Sequence, residues 1–195
     1  MKKKRQIVFL VVLILLVIVG VLFFGMAKTR KPGQKKTETK ETITQANQER
    51  VEEAEKNGTP ELVISSTQAA PGDTVEVTAS LVNNPGILGM SFVLSYDESV
   101  LKLTKAENGE ATEGVLDMNC SEELGNGCIF LWDGESIASD QIKDGEILKI
   151  TFEVLDTAAD GKTPVKLIGE EDGIFDNDLQ NVTLTVDDGY VSVEK

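Results

Sequence analysis

The chain has 195 residues, including 19 Lys and Arg, 33 Asp and Glu, two Cys and one Trp, but no His. The lack of histidine excludes Ser-His-Asp and Cys-His catalysis and His-ligated zinc or haem. Residues 1–60 carry 12 basic and 6 acidic side chains, whereas residues 61–195 carry 7 basic and 27 acidic ones. This asymmetry indicates that the two parts face different surroundings. The acidic part also lacks the basic surface that a nucleic-acid binder would have.

An apolar segment opens the chain. Residues 7–27 are all apolar or Gly and follow a basic flank at residues 2–5. A run of about 20 such residues spans a bilayer, whereas the apolar part of a signal peptide is only about 7–15 residues long. We therefore expect a transmembrane anchor over residues 1–27, with a cleaved signal peptide as the alternative because Gly25 and Ala27 are small residues at a possible cleavage site. Basic residues lie on both sides of the segment, so they do not fix its orientation.

A polar segment follows at residues 28–60. It is rich in Lys, Glu, Thr and Gln and has only a weak apolar stripe at helical spacing between Thr42 and Lys56. Few apolar side chains are available there to offset the entropy of ordering the backbone. The segment is therefore predicted to be a solvated spacer with a marginal helix.

Residues 61–195 have the length of one domain. Short runs of Val, Ile, Leu, Phe and Thr alternate with turns rich in Gly, Asp, Asn and Pro, which is typical of an all-β sandwich. Nine strands are predicted, at residues 61–65, 74–81, 89–96, 100–105, 115–120, 128–132, 146–155, 165–168 and 183–193. The last run contains Asp-Asp-Gly at 187–189, which is either a bulge or a turn that divides it.

Strand alternation predicts which side chains face solvent. In residues 89–96 the large side chains occupy the even positions, so the odd ones, such as Val93, should face outward. If the two aromatic residues of 128–132 lie in the core, Ile129 and Leu131 face outward too. These aliphatic groups then form an exposed apolar patch, unless a loop covers the strand.

The two cysteines, Cys120 and Cys128, bracket a turn-like stretch between two predicted strands. Cysteines at the base of a hairpin can form a disulfide, which would contribute about 2–3 kcal/mol through loop closure. A disulfide would place the domain outside the cytoplasm. Two buried free thiols are the alternative.

No catalytic residue, metal ligand or cofactor is predicted for this chain. With 27 acidic residues in the domain, chance neighbours such as Asp133 and Glu135 do not indicate a glycosidase pair. The acidic cluster at residues 170–178 lacks the spacing of an EF-hand, so a weak calcium site there is only an alternative.

A series of motifs in residues 61–195 resembles the cohesin domain family. They are PGDTVEV (71–77), GILGMSFVLSYD (86–97), IFLWD (129–133), KDG (143–145), FDNDL (175–179) and DGYVSV (188–193). Each motif is weakly specific, but their order and spacing together resemble a cohesin over essentially the whole domain.

The resemblance implies a nine-stranded jelly-roll β-sandwich that is not an enzyme and binds a dockerin, a small calcium-loaded module of secreted polysaccharide-degrading enzymes or scaffolds. Calcium is then expected on the partner, and polysaccharide is reached only through it. Together with the segment at residues 7–27, this predicts a single-pass protein of a bacterial plasma membrane with an extracellular C-terminal domain at residues 61–195. It would anchor a cellulosome-type assembly to the cell surface.

The resemblance also implies the docking surface, which lies on one sheet made by the third, fifth, sixth and eighth strands. The matching outward and rim positions are Gly89, Ser91, Val93, Asp117, Asn119, Ile129, Leu131, Asp133, Glu135 and Leu179. This chain departs from the family at Ser91, where many cohesins have Asp or Asn, and in its pair of cysteines.

Direct binding of polysaccharide is the alternative function. Carbohydrate-binding faces usually present a row of exposed aromatic rings, which stack on sugars. The predicted alternation turns Trp132 and Tyr96 inward and leaves Tyr190 as a single candidate.

Overall fold

The structure, a computed structural model, describes residues 32–195. Residues Thr37–Lys195 form one compact unit. The predicted anchor at residues 7–27 lies outside the described residues, and within them we find no helix with the length and apolar character needed to cross a membrane.

One helix and eleven strands make up the described chain. They are α1 Pro32–Asn57, β1 Glu61–Ile64, β2 Thr67–Ala69, β3 Thr74–Val82, β4 Ile87–Ser95, β5 Leu101–Asn108, β6 Asp117–Cys120, β7 Ile129–Asp133, β8 Gly145–Val154, β9 Gly161–Asp176, β10 Thr185–Asp187 and β11 Gly189–Val193. The predicted count of nine strands is therefore wrong: the three-residue β2 was missed, and Asp188 divides the last predicted strand into β10 and β11.

The strands form two sheets, which confirms the predicted β-sandwich. The five-stranded sheet has the order β10-β1-β3-β8-β5, and the six-stranded sheet has the order β2-β11-β9-β4-β7-β6. Neighbouring strands are antiparallel except for the pairs β1–β10 and β2–β11. This order places β9, β4, β7 and β6 side by side.

The core lies between the sheets and follows the predicted alternation. Phe92, Phe130, Trp132 and Phe152 are completely buried. The rings of Phe92 and Trp132 meet edge to face, with centroids 6.2 Å apart. The indole N–H of Trp132 donates to the side-chain oxygen of Asn108 at 2.8 Å, so its one polar group is satisfied. Because these side chains point inward, their neighbours Val93 on β4 and Ile129 and Leu131 on β7 point outward.

The helix differs from the predicted solvated spacer. The prediction of a helix in this segment is correct, but α1 is longer, and its C-terminal half packs on the outer face of the five-stranded sheet. Ala54 is buried against Val63 of β1 and Val82 of β3, with Val51 beside them. A few apolar side chains on the helix are enough for this packing because strands β1 and β3 supply the apolar surface that they contact.

Arg50 secures this contact. Its guanidinium donates to the Ile64 carbonyl at 2.8 Å, to the Asp187 carboxylate at 2.7 Å and to the carbonyls of Asp187 and Asp188 at 3.0 and 2.9 Å. These bonds join the helix to the end of β1 and to the turn between β10 and β11. The segment before residue 61 is therefore part of the folded unit from Thr37 onward.

Candidate functional site

The outward face of strands β9, β4, β7 and β6 carries a row of aliphatic side chains. Val93 of β4 lies opposite Ile129 of β7 on one side and Ile168 of β9 on the other. Directly opposed residues on neighbouring strands share a face and lie within contact distance of each other. The register thus lines up three aliphatic groups across three strands.

Leu131 extends this row toward the sheet edge. It lies opposite Ser91 on β4 and Asn119 on the edge strand β6. Leu131 and Ile129 are each 42 % exposed and Ile168 is 53 % exposed. We call Val93, Ile129, Leu131 and Ile168 the apolar patch. The possibility that a loop covers this strand is therefore not realised in the described structure.

Ile168 was absent from the predicted site. The predicted strand ended at residue 168, whereas β9 continues to Asp176 and runs along the whole of β4. The signal was available in the sequence, since Val165 and Leu167 are core residues and alternation turns Ile168 outward.

Ser91 faces outward as predicted but is only 5 % exposed. Its hydroxyl donates to the carboxylate of Glu170 at 2.7 Å, and the exposed Glu170 lies over it. The accessible polar group at this point of the face is therefore the carboxylate of Glu170, which the sequence analysis did not assign to the site.

Gly89 is also covered. A Cβ at this position would lie 2.3 Å from the ring of Phe175, its register partner on β9. The ring therefore rests on the Gly89 backbone, and only glycine permits this approach. The predicted contact at Gly89 is occupied by Phe175, which sequence reasoning missed because it ended β9 too early.

Acidic side chains border the apolar patch. Asp117 on β6 lies opposite Asp133 at the end of β7, and both are exposed, as is Glu135 just beyond. We call these three residues the acidic rim. Leu179 follows β9 in a turn, has a φ of 58° and is 70 % exposed. The Asp176 carboxylate holds this turn by accepting hydrogen bonds from the backbone N–H groups of residues 178 and 180, both at 2.9 Å.

The two cysteines are free in the structure, so the predicted disulfide is not present. The β6–β7 register sets Cys120 opposite Phe130 rather than opposite Cys128, and Cys120 is exposed whereas Cys128 is buried. Burial raises the pKa of the Cys128 thiol above its ordinary value, because it disfavours the charged thiolate.

The aromatic residues do not form a row on the described surface. Trp132 and Tyr96 are buried, as predicted, and burial raises the pKa of the Tyr96 hydroxyl. The ammonium of Lys162 lies 4.0 Å from the ring centroid of Tyr190, so this half-buried ring is already occupied. This arrangement gives no support to stacking on a sugar chain.

Comparison with known proteins identifies the domain. Residues 60–193 match the family described as the cohesin domain. The chain is 29% identical over 142 residues to a cellulosome-anchoring protein of Acetivibrio thermocellus, a match that covers 69% of this chain and 31% of that protein. It is 30% identical over 143 residues to cellulosomal-scaffolding protein A of the same organism, covering 68% of this chain and 8% of that protein. The chain thus spans less than a third of either relative.

A solved structure shows the same fold. The crystal structure of a type I cohesin–dockerin complex from Clostridium thermocellum aligns with a TM-score of 0.56 and 25% identity. The alignment covers 70% of this chain and 99% of that chain.

Proposed function

We propose, because this chain belongs to the cohesin family, that its β9-β4-β7-β6 face binds a dockerin domain of a polysaccharide-degrading enzyme or scaffold. Cohesin domains are non-catalytic binding modules, and the chain is accordingly not an enzyme. The observation that carries the proposal is the apolar patch, which lies on the adjacent strands β9, β4 and β7 and is left uncovered by the described residues.

The composition of this face suits a protein partner. Interfaces typically combine a desolvated apolar centre with a polar rim that remains in contact with water. Here the apolar patch has the acidic rim on one side and Glu170 on the other. Residues 61–195 carry 27 acidic and 7 basic side chains, so a partner with a basic surface would be steered toward the domain, most strongly at low salt.

The relatives supply further support. One of them is named a cellulosome-anchoring protein, and the type I cohesin of the aligned crystal structure is in complex with a dockerin. In this proposal calcium belongs to the dockerin, and the chain itself needs no cofactor.

The anchoring role rests on the sequence before the domain. We propose that the apolar run at residues 7–27 holds the protein in a bacterial plasma membrane, with the cohesin domain outside the cell. Membrane fractions of the native host should then retain the full-length chain through a high-salt wash. Protease added to intact cells should remove the domain. Recovery of a shortened chain in the medium would instead indicate a cleaved signal peptide.

The docking face is tested with Leu131→Asp. The full chain in detergent micelles is titrated with a panel of calcium-loaded dockerin domains by calorimetry. An unpaired charge at the centre of the interface should weaken binding about thirtyfold or more. The free energy of unfolding should change by no more than about 0.5 kcal/mol, since the side chain is partly exposed.

Leu124→Asp is the matched control. Leu124 is 41 % exposed, almost the same as Leu131, but lies in the connection between β6 and β7 rather than on the four strands. It adds the same charge and should leave affinity within about twofold, since a charge at the edge of a contact has little effect on binding. Equal losses in both variants, or none in either, would contradict the proposed face. Binding should also disappear when the dockerin is stripped of calcium.

A further inference from the structure

A carboxylate is fixed beside the apolar patch. The Ser91 hydroxyl, which is 5 % exposed, donates to one oxygen of Glu170 at 2.7 Å, across the β4–β9 pair. Leu131 lies opposite Ser91 on β7, and Val93 is the next outward residue along β4. The register of β4 and β9 shifts between Met90 and Phe92, and this irregularity lies at Ser91 itself. The hydrogen bond from Ser91 therefore orients the Glu170 carboxylate beside the apolar patch.

Among residues 40–195, no Lys or Arg forms an ion pair with Glu170. Some other acidic groups in the sandwich do form ion pairs. Asp188, for example, pairs with Lys166 at 2.6 Å, and Asp187 pairs with Arg50 at 2.7 Å. In the free domain Glu170 is exposed, so water satisfies its remaining hydrogen-bonding capacity.

Binding of a partner would remove this water from Glu170. A partner that covers the apolar patch also covers Glu170, because Ser91 holds the carboxylate next to Leu131 and Val93. A carboxylate taken out of water without a partner is strongly unfavourable, whereas one that meets a cation in good geometry is tolerated or favourable. Asp117 and Glu135 of the acidic rim have no such requirement, since Asp117 lies on the edge strand β6 and Glu135 lies beyond the end of β7.

We propose that Glu170, oriented by Ser91, determines specificity: the domain accepts partners that place a Lys or Arg side chain against this carboxylate and rejects partners that cover it with apolar groups. This inference rests on the proposed function, because it concerns the same face. Glu170 is the contacting residue, and Ser91 is a positioning residue that acts through it.

The test uses the full chain and a calcium-loaded dockerin that binds it in the Leu131 experiment, titrated at low and high salt. Glu170→Gln removes the charge and should weaken binding about tenfold or more while reducing the dependence of affinity on salt. Glu76→Gln, an exposed acid on β3 of the other sheet, makes the same charge change and should alter affinity less than about twofold.

Ser91→Ala leaves the charge of Glu170 in place but removes the hydrogen bond that orients it. Affinity should fall by several-fold while its dependence on salt is retained, and a purely structural role of Ser91 would not give this combination. Glu170→Lys should reverse the preference, so that replacing a basic contact residue of the dockerin with Glu restores binding.

The outcomes separate this inference from the proposed function. If Leu131→Asp abolishes binding but Glu170→Gln binds as the native chain does, the docking face stands and the specificity role of Glu170 is refuted. The requirement for a cation is also refuted if Glu170→Gln is silent while Glu170→Ala weakens binding, because a neutral donor on the partner would then be sufficient. If neither Leu131→Asp nor Glu170→Gln changes affinity, the docking face itself is wrong.

Discussion

The two outer faces of the sandwich both carry aliphatic side chains, but the described residues cover only one of them. On the five-stranded sheet, Val63 and Val82 are buried beneath Ala54 of α1. On the six-stranded sheet, Ile129 and Leu131 remain 42 % exposed. The same residue types thus stabilise the fold on one face and are available to a partner on the other. An outward apolar residue indicates a binding site only when the rest of the chain leaves it uncovered.

The cover on the first face depends on polar contacts more than on apolar ones. Besides Arg50, the Asn47 side chain pairs with both the N–H and the carbonyl of Ser66, at 2.9 and 2.8 Å. The Asn83 amide donates to the Ala54 carbonyl near the end of the helix, at 2.8 Å. A helix with so few apolar residues would be marginal alone, so these bonds fix where it lies.

The largest effect should come from breaking this cover. Arg50→Met removes the donor of the bonds to Ile64, Asp187 and Asp188, and leaves their acceptors without it. We expect the free energy of unfolding to fall by about 3 kcal/mol, measured by chemical denaturation, because the bonds involve a charged and mostly buried group. Dockerin affinity should be unchanged, since the helix lies on the opposite sheet.

Lys56→Met on the same helix is the control. Its ion pair with Glu52 is long, at 3.9 Å, and exposed, so the loss should be at most about 0.5 kcal/mol. Similar losses in the two variants would show that Arg50 is only a surface contact. A loss of binding in Arg50→Met would show that the two faces are coupled.

A matched pair of substitutions compares the faces directly. Val63→Ser should lower the free energy of unfolding by about 1.5–2 kcal/mol, because a buried side chain loses its apolar contacts, and should leave affinity unchanged. Ile129→Ser should cost at most about 0.5 kcal/mol in stability but weaken dockerin binding about fivefold. The contrast between the faces would be contradicted if both variants changed stability alone, as denaturation and calorimetry on the same samples would reveal.

Much of the fold was predictable because strand signals are local. The alternation of residues 89–96 and 128–132 was sufficient to predict that Ile129, Leu131 and Val93 face outward. The same rule, applied to the predicted strand at residues 165–168, would have identified Ile168 as an outward residue. Local patterns also predicted the helix in the segment before the domain, though not its full length.

The contacts that define the two faces were not predictable from local patterns. Arg50 meets Asp187 across 137 positions of the chain, and Ser91 meets Glu170 across 79. Such pairs depend on the order of strands in the sheets and on the register shift within β4. The sequence analysis therefore interpreted the helix as a solvated spacer and missed the carboxylate beside the apolar patch.

The smallest effect on stability is expected at the edge of the docking sheet, where the two free cysteines lie. They test whether a disulfide stabilises this sheet, as the helix stabilises the other one. Cys120→Ser should change the free energy of unfolding by at most about 0.5 kcal/mol, because an exposed free thiol contributes little. A disulfide would instead make this substitution cost about 2–3 kcal/mol.

In the native protein iodoacetamide should label Cys120 about ten times faster than Cys128, whose burial and raised pKa keep it protonated and out of reach. Denatured protein from the native host should be labelled at both positions, and failure at both would establish a bridge that the structure does not contain.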